Sequence, residues 1–459
     1  MPKVGHFEHD AESVWWDEVL SLCQQISPEY RNCVRAVGVS GIGPCVVPCA
    51  DDDVPLRPAI LYGIDTRAVV EVDELQAILG EEEILRRGGS ALSSQALGPK
   101  LAWLLRHEPE VYSATKRWHM ASSFVVSRLT GEWALDHHSA SQCDPLYDMA
   151  EQGWNRDWAE IVAPGLPLPE LAWTTDVVGT IHAQGASQTG LPLGTPVVAG
   201  TIDAWAEAVS VGVRQPGELM IQYGSTLFLI LGATAPRGHP RIWTTCGVDQ
   251  GSWTLAAGLA TGGALTDWVR ELVGEEDHSS LTRDAASINP GSDGLVMLPY
   301  FAGERTPILD PDARGTIVGL SLRHTRAMLY RAALEGCAFA IRHNLEEMTE
   351  PDGRAVAVGG GASSELWLQI VSDVTGLEQD VPEVTIGASY GDALLAGEGV
   401  GLVASGSSWS IPRRTVAPDE ERAGAYDELY GIYRSLYPAT RDAQHALATI
   451  QEATQRRIP

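Results

Sequence analysis

Gly194-Thr-Pro-Val-Val-Ala-Gly-Thr-Ile-Asp203-Ala-Trp205, followed by Pro216-Gly-Glu-Leu-Met-Ile-Gln-Tyr-Gly224-Ser-Thr-Leu-Phe-Leu-Ile-Leu-Gly232, is the stretch that decides the fold. Residues 196–200 read as a short buried strand bounded by turn residues, and an Ala- and Val-rich helix begins near Asp203. Asp203 therefore stands where a strand ends and a helix starts, the edge of an α/β sheet at which ligands gather. Two readings are open for it. It is a catalytic carboxylate, or Asp203 or Thr201 merely caps the helix. The second half reads as a hairpin with Gly224-Ser225-Thr226 at its tip. Successive N–H groups and two hydroxyls there suit a phosphate, although the same three residues also serve as a plain turn.

Working outward, the strand expected over 355–358 opens onto Gly359-Gly360-Gly361-Ala362-Ser363-Ser364 and then a helix, a second glycine loop of nucleotide-binding type. It lacks the Lys-Ser/Thr of a P-loop and the spacing of a dinucleotide fingerprint. Thr261-Gly262-Gly263 introduces another helix. Earlier in the chain, residues 11–26 read as an amphipathic helix and 34–39 as a buried strand. Residues 69–79, 98–107 and 121–130, the last closed by Gly131, read as helices. Asp65 and Arg67 lie two apart on a turn, where they either face a cleft together or form a surface ion pair or cap. His137-His138 lack metal-site spacing and read as solvated loop residues.

At 459 residues the chain calls for two domains or more. A formal charge of −28, from 60 acidic against 32 basic residues, argues against nucleic acid or an anionic membrane as partner. Seven irregularly spaced cysteines fit a reducing cytosol, and a zinc site at Cys45 and Cys49 is disfavoured for want of a second ligand pair. No run approaches the length of a membrane span, and the N-terminus has no signal-peptide pattern, so a cytoplasmic protein is expected.

Several long motifs occur in one order. They are Lys100-Leu101-Ala102-Trp103-Leu104, Leu129-Thr130-Gly131-Glu132-Trp133 and Gly303-Glu304-Arg305-Thr306-Pro307, then Val318 to Ala327 leading to Ala333-Leu334-Glu335-Gly336, and Gly359 to Trp367. Together they make the chain resemble the FGGY family of carbohydrate kinases over nearly its whole length, most like the xylulose kinase branch. The resemblance implies an α/β protein of two actin-like (ribonuclease H-like) domains with a central interdomain cleft. The first domain is expected over 1–205 and the nucleotide-binding one over 206–459. It implies transfer of the γ-phosphoryl of ATP, with Mg2+, to a ketose or polyol hydroxyl, D-xylulose by default. Asp203 is implied as the general base, with Gly43, Pro44, Asp65, Arg67 and Thr201 on the sugar side. Gly224, Ser225, Thr226, Gly262, Gly263, Gly359, Gly360, Gly361 and Ala362 are implied on the nucleotide side. A homodimer is a further implication.

Two departures bear on function. Family members begin with a hairpin bearing Asp-x-Gly-Thr, and this chain starts where that hairpin and the next strand should be finished. The first domain is thus expected to lack its N-terminal strands and no metal-placing Asp is identified. Weak or absent turnover by the chain as written is expected, with a binding-only relative as the rival reading. Ser40-Gly41-Ile42-Gly43-Pro44-Cys45 also replaces the Gln and His with which xylulose kinases of the family would bind sugar hydroxyls.

Overall fold

The computed structural model describes residues 5–275, 277–348, 351 and 354–455, which pack as two compact units. Residues 1–4 lie outside the described residues. One unit holds the chain up to Pro216 with Gly232–Thr254 and Ile386–Trp409; the other holds Gly217–Leu231, Leu255–Thr385 and the chain from Ser410. Where the sequence suggests a single cut after residue 205, each unit is assembled from three separate segments. Helix Ala388–Gly399 accordingly belongs with the first unit, laid against helix Asp203–Ser210.

The first unit is made of helices and short strands paired two at a time. Val47–Cys49 runs antiparallel to Arg117–His119, Ala134–Asp136 parallel to Glu170–Ala172, and Ser40–Gly41 parallel to Thr201–Ile202. Trp16, Trp118, Phe124 and Tyr147 are almost fully enclosed in its core. The helices Val69–Leu79, Gly98–His107 and Ala121–Thr130 form where the 3.6-residue apolar period places them. The first helix opens as a wide turn, Ala11–Trp16, whose Glu12 and Ser13 amides donate to the Asp10 carboxylate, and continues as Asp17–Gln25. The buried strand expected over 34–39 does not form. Val37 alone of that run bridges to Val197, the strand proper is Ser40–Gly41, and Val34, Val37 and Val39 remain half-buried.

In the second unit, six neighbouring strands of a seven-stranded sheet run in the order Trp253–Leu259, Leu227–Ala233, Leu219–Tyr223, Ala355–Val358, Gln379–Pro382 and Pro412–Val416. Leu219–Tyr223 and Leu227–Ala233 form the expected hairpin, closed by the pair Tyr223 and Leu227. Leu219–Gln222 lies parallel to Ala355–Val358, residue against residue. The buried helix Arg326–Met348 packs against His278–Ala286 and Glu365–Thr375. Among the described residues no helix is long and apolar enough to cross a membrane.

Three expectations for side chains in the first unit are corrected. His137 and His138 are not solvated. They sit on a short helix, His137–Ala140, with 9% and 0% exposure, His137 stacked on Trp173 and His138 against Trp205. His138 Nδ1 bonds the Cys246 carbonyl, and burial pushes its pKa down to about 3, so it is neutral. Asp65 and Arg67 neither face a cleft nor lie on the surface. Both side chains have no exposed area, and Arg67 Nη2 donates to Asp65 Oδ2 at 2.7 Å. Arg67 also pairs with Glu8 and lies over the Trp103 ring, while the Phe7 amide donates to Asp65. Burial opposes ionisation of Asp65, but the Arg67 and Phe7 donors outweigh it and hold its carboxyl below the usual range. Thr201 is fully buried and donates its hydroxyl to Asp136 Oδ1 at 3.1 Å, so its side chain is turned into the core.

A buried charge stripped of its partner is costly. Arg67→Ala, which leaves Asp65 enclosed without its guanidinium, is expected to destabilise the fold by about 3–5 kcal/mol, read as a lower urea midpoint.

Candidate active site

Asp203 opens the helix Asp203–Ser210 directly after the strand Thr201–Ile202. The N-cap position is Ile202, which makes no side-chain capping bond, and the Asp203 carboxylate does not reach back along the first turn. Its Oδ1 accepts from the adjacent Ala204 amide at 2.7 Å, and Oδ2 has no hydrogen bond among the described residues. The side chain is half-buried. Burial raises the Asp203 pKa and the Ala204 N–H partly offsets this. Such a carboxylate is a better proton acceptor than one in open water.

Around it the unit supplies mainly apolar shape. Pro44 is buried, and a Cβ at Gly43 would meet Ile202 Cδ1 at 2.6 Å, so this turn packs on the residue before Asp203 and brings no polar side chain. Sequence reading missed one neighbour, Asp392 on the helix Ala388–Gly399, whose Oδ2 accepts from Ser40 Oγ at 2.7 Å. Nothing in the local sequence signals it, because residues 40, 203 and 392 meet only after folding.

The second unit contains a cavity of about 890 Å³. Its rim is built by the parallel register. Strands Leu219–Tyr223 and Ala355–Val358 end side by side, so the tip at Gly224 and the loop at Gly359 leave the sheet at the same edge. Gly359 has φ +86°, and a Cβ there would lie 2.7 Å from the Tyr223 carbonyl oxygen, which only glycine allows. The chain then makes one tight turn, Gly360–Ser363, before the helix Glu365–Thr375, whose N-cap Ser364 accepts from the Trp367 amide.

Of the expected nucleotide residues, Gly224, Ser225, Gly263, Gly360 and Gly361 line the cavity. Thr226 is exposed on the hairpin tip but does not line it, and Gly262, Gly359 and the buried Ala362 support the lining from behind. The Gly262 and Gly263 amides donate to the Ser225 and Gly224 carbonyls at 2.9 and 2.8 Å, so this helix start fixes the hairpin tip. Lining residues that the sequence did not reveal include Asp267, His278, Arg283 and Tyr330. His278 links Asp267 at 2.8 Å to the Tyr330 hydroxyl at 3.2 Å, joining three helices across the cavity wall. The helical period marks these residues only as polar positions.

Among the described residues no three acidic, histidine or cysteine side chains converge as a cation site. The residues present therefore do not fit a protein-made Mg2+ cage; an ion of this kind is commonly carried by nucleotide phosphates and water.

Residues 1–210 match the N-terminal domain of the FGGY family of carbohydrate kinases, and residues 219–399 match its C-terminal domain. The chain is similar to the gluconokinase of Bacillus subtilis (strain 168), at 26% identity over 98% of this chain and 92% of that one. It is similar to the xylulose kinase of Escherichia coli (strain K12), at 27% identity over 94% of this chain and 90% of that one. The crystal structure of xylulose kinase from Rhodospirillum rubrum superposes with a TM-score of 0.88 at 30% identity, covering 97% of this chain and 93% of that chain. With both family domains matched and the fold shared almost end to end, the chain belongs to the FGGY family of carbohydrate kinases and is a phosphotransferase that uses ATP.

Proposed function

We propose that the chain phosphorylates a hydroxyl of a neutral sugar, a ketose of the D-xylulose kind or a related polyol, with Asp203 as general base. The observation that carries this reading is the Asp203 carboxylate itself. It is half-buried at the end of a strand, raised by burial, with Oδ2 unengaged among the described residues. Phosphoryl transfer has a loose transition state, so the protein must chiefly position its ligands and accept one proton. Asp203 takes the hydroxyl proton as the O–P bond forms.

The nucleotide side of the reading rests on the cavity of the second unit. Ser225, Gly360 and Gly361 present backbone where a phosphate chain needs N–H donors, the Gly224 amide being taken by the Thr226 carbonyl at 3.1 Å, and Trp367 and Tyr223 give the lining an apolar component. A divalent cation carried by the nucleotide would supply charge neutralisation there.

Neutral substrates are favoured over sugar acids by charge. Asp203 and Asp392 stand together without a salt-bridge partner among the described residues, and an aldonate would bring a third carboxyl to them. Similarity to gluconokinase keeps D-gluconate as the comparison substrate. With ATP consumption as the readout, D-xylulose and polyols are expected to exceed D-gluconate in kcat/KM. Gluconate preferred over every neutral sugar overturns the substrate assignment. Sugar binding without turnover supports the binding-only alternative.

Asp203→Asn is expected to lower kcat by about 10²–10⁴-fold with ADP affinity unchanged in calorimetry. Gly360 faces open space, no atom of the described residues lying within 4 Å of where a Cβ would stand. Gly360→Asp is therefore expected to keep its melting temperature and to weaken ADP binding about tenfold or more through like-charge repulsion.

A further inference from the structure

Helix Ala388–Gly399 is pressed unusually hard onto the elements that carry Asp203. A Cβ at Gly391 would collide with the Ala206 carbonyl, and one at Gly38 with the Asp392 carbonyl, so neither position has room for a side chain. Ser40 stands opposite Thr201 in the parallel pair Ser40–Gly41 and Thr201–Ile202, and Asp203 follows at once. From that strand Ser40 Oγ donates to Asp392 Oδ2, while Asp392 Oδ1 is buried with no hydrogen-bond partner among the described residues. Two carboxyls thus share a site whose donors are one hydroxyl and one amide, with no cation paired to either among the described residues.

We propose that Asp392 is a positioning residue for phosphoryl transfer: fixed by Ser40 near Asp203, it holds the one proton the two carboxyls share and leaves Asp203 as the ionised base. The proposal rests on the reading of Asp203 as the base. Two ionised carboxylates in a partly dewatered site repel, and retaining one proton removes that repulsion. The asymmetry sets where the proton lodges. Burial and then the Asp203 charge push Asp392 up to about 7, against the pull of Ser40; Asp203 is raised by burial alone and relieved by the Ala204 amide. When Asp203 takes the substrate's hydroxyl proton, both carboxyls are protonated until one proton returns to solvent.

The groups that shift Asp392 besides its burial are Ser40 and Asp203, and Glu207 on the packed helix Asp203–Ser210 is engaged in an interaction of its own. Strand Pro196–Val198 offers no titratable side chain, and Ser40 is a hydroxyl. Cys45, facing Asp203, stays a thiol, its pKa pushed up to about 12 by burial. Glu398, near the other end of the same helix, is tied to Arg214 at 2.7 Å.

The test compares wild type with Asp392→Asn. A carboxyl raised by folding keeps its proton where the unfolded chain has lost it, so stability falls as pH rises from about 4 towards 7 and stays down above that. Asparagine has no proton to lose, so the melting-temperature advantage of Asp392→Asn over wild type should grow from pH 5 to 8. In an Asp203→Asn background the like charge is gone, and the growth of that gap should move to lower pH by about half a unit or more. In kinetics, kcat/KM of the wild type should fall about fivefold above pH 7, as a second charge appears beside the oxygen receiving an anionic phosphoryl, and Asp392→Asn should lack the fall. If Asp203→Asn is inactive yet leaves the gap where it was, Asp203 remains the base and this proposal fails. If Asp203→Asn still turns over substrate, the base assignment itself fails. A melting gap that does not vary with pH in either background also overturns the proposal.

Discussion

Parallel pairing in register is the constraint on which the rest of this structure depends. Two parallel strands matched residue for residue must end at the same edge, so whatever follows each of them emerges side by side. In the second unit this brings the hairpin tip at Gly224 beside the loop at Gly359. In the first it sets Ser40 opposite Thr201 and delivers Asp203 one residue beyond the pair. The chemistry is local at both edges, but its alignment is inherited from the strands that lead to it.

Close backbone approach is the companion requirement. Gly359 against the Tyr223 carbonyl, and Gly391 against the Ala206 carbonyl, are places where any Cβ collides. Removing a side chain there lets a loop leave the sheet tightly in one unit and lets a helix lie flat on another in the other. The gain is geometric.

Charge is managed by position. The protein is strongly acidic, and the proposed nucleotide side is compatible with that charge because backbone dipoles act over a few ångströms while the dispersed surface charge is screened. Buried carboxyls divide by partner. Asp65, bonded to Arg67, is held ionised and serves the core; Asp203 and Asp392, with no cation paired to either among the described residues, are both pushed up by burial. The same side chain is held ionised in one setting and pushed towards the neutral acid in the other, and only the neighbours differ.

Sequence by itself determined the family, the helices with clear 3.6-residue apolar periods, the hairpin at Gly224, the glycine loop at Gly359 and the position of Asp203 at a strand end. These rest on local patterns, which backbone sterics and periodicity make legible. Tertiary structure alone decided that Asp65 and Arg67 lie in the core, that His137 and His138 are buried, and that residues 34–39 form no buried strand. It also decided that Asp392 and Ser40 share the neighbourhood of Asp203. Each of those outcomes turns on what packs against a residue from far along the chain, and a side chain's exposure and protonation follow from that company, which no local spacing encodes.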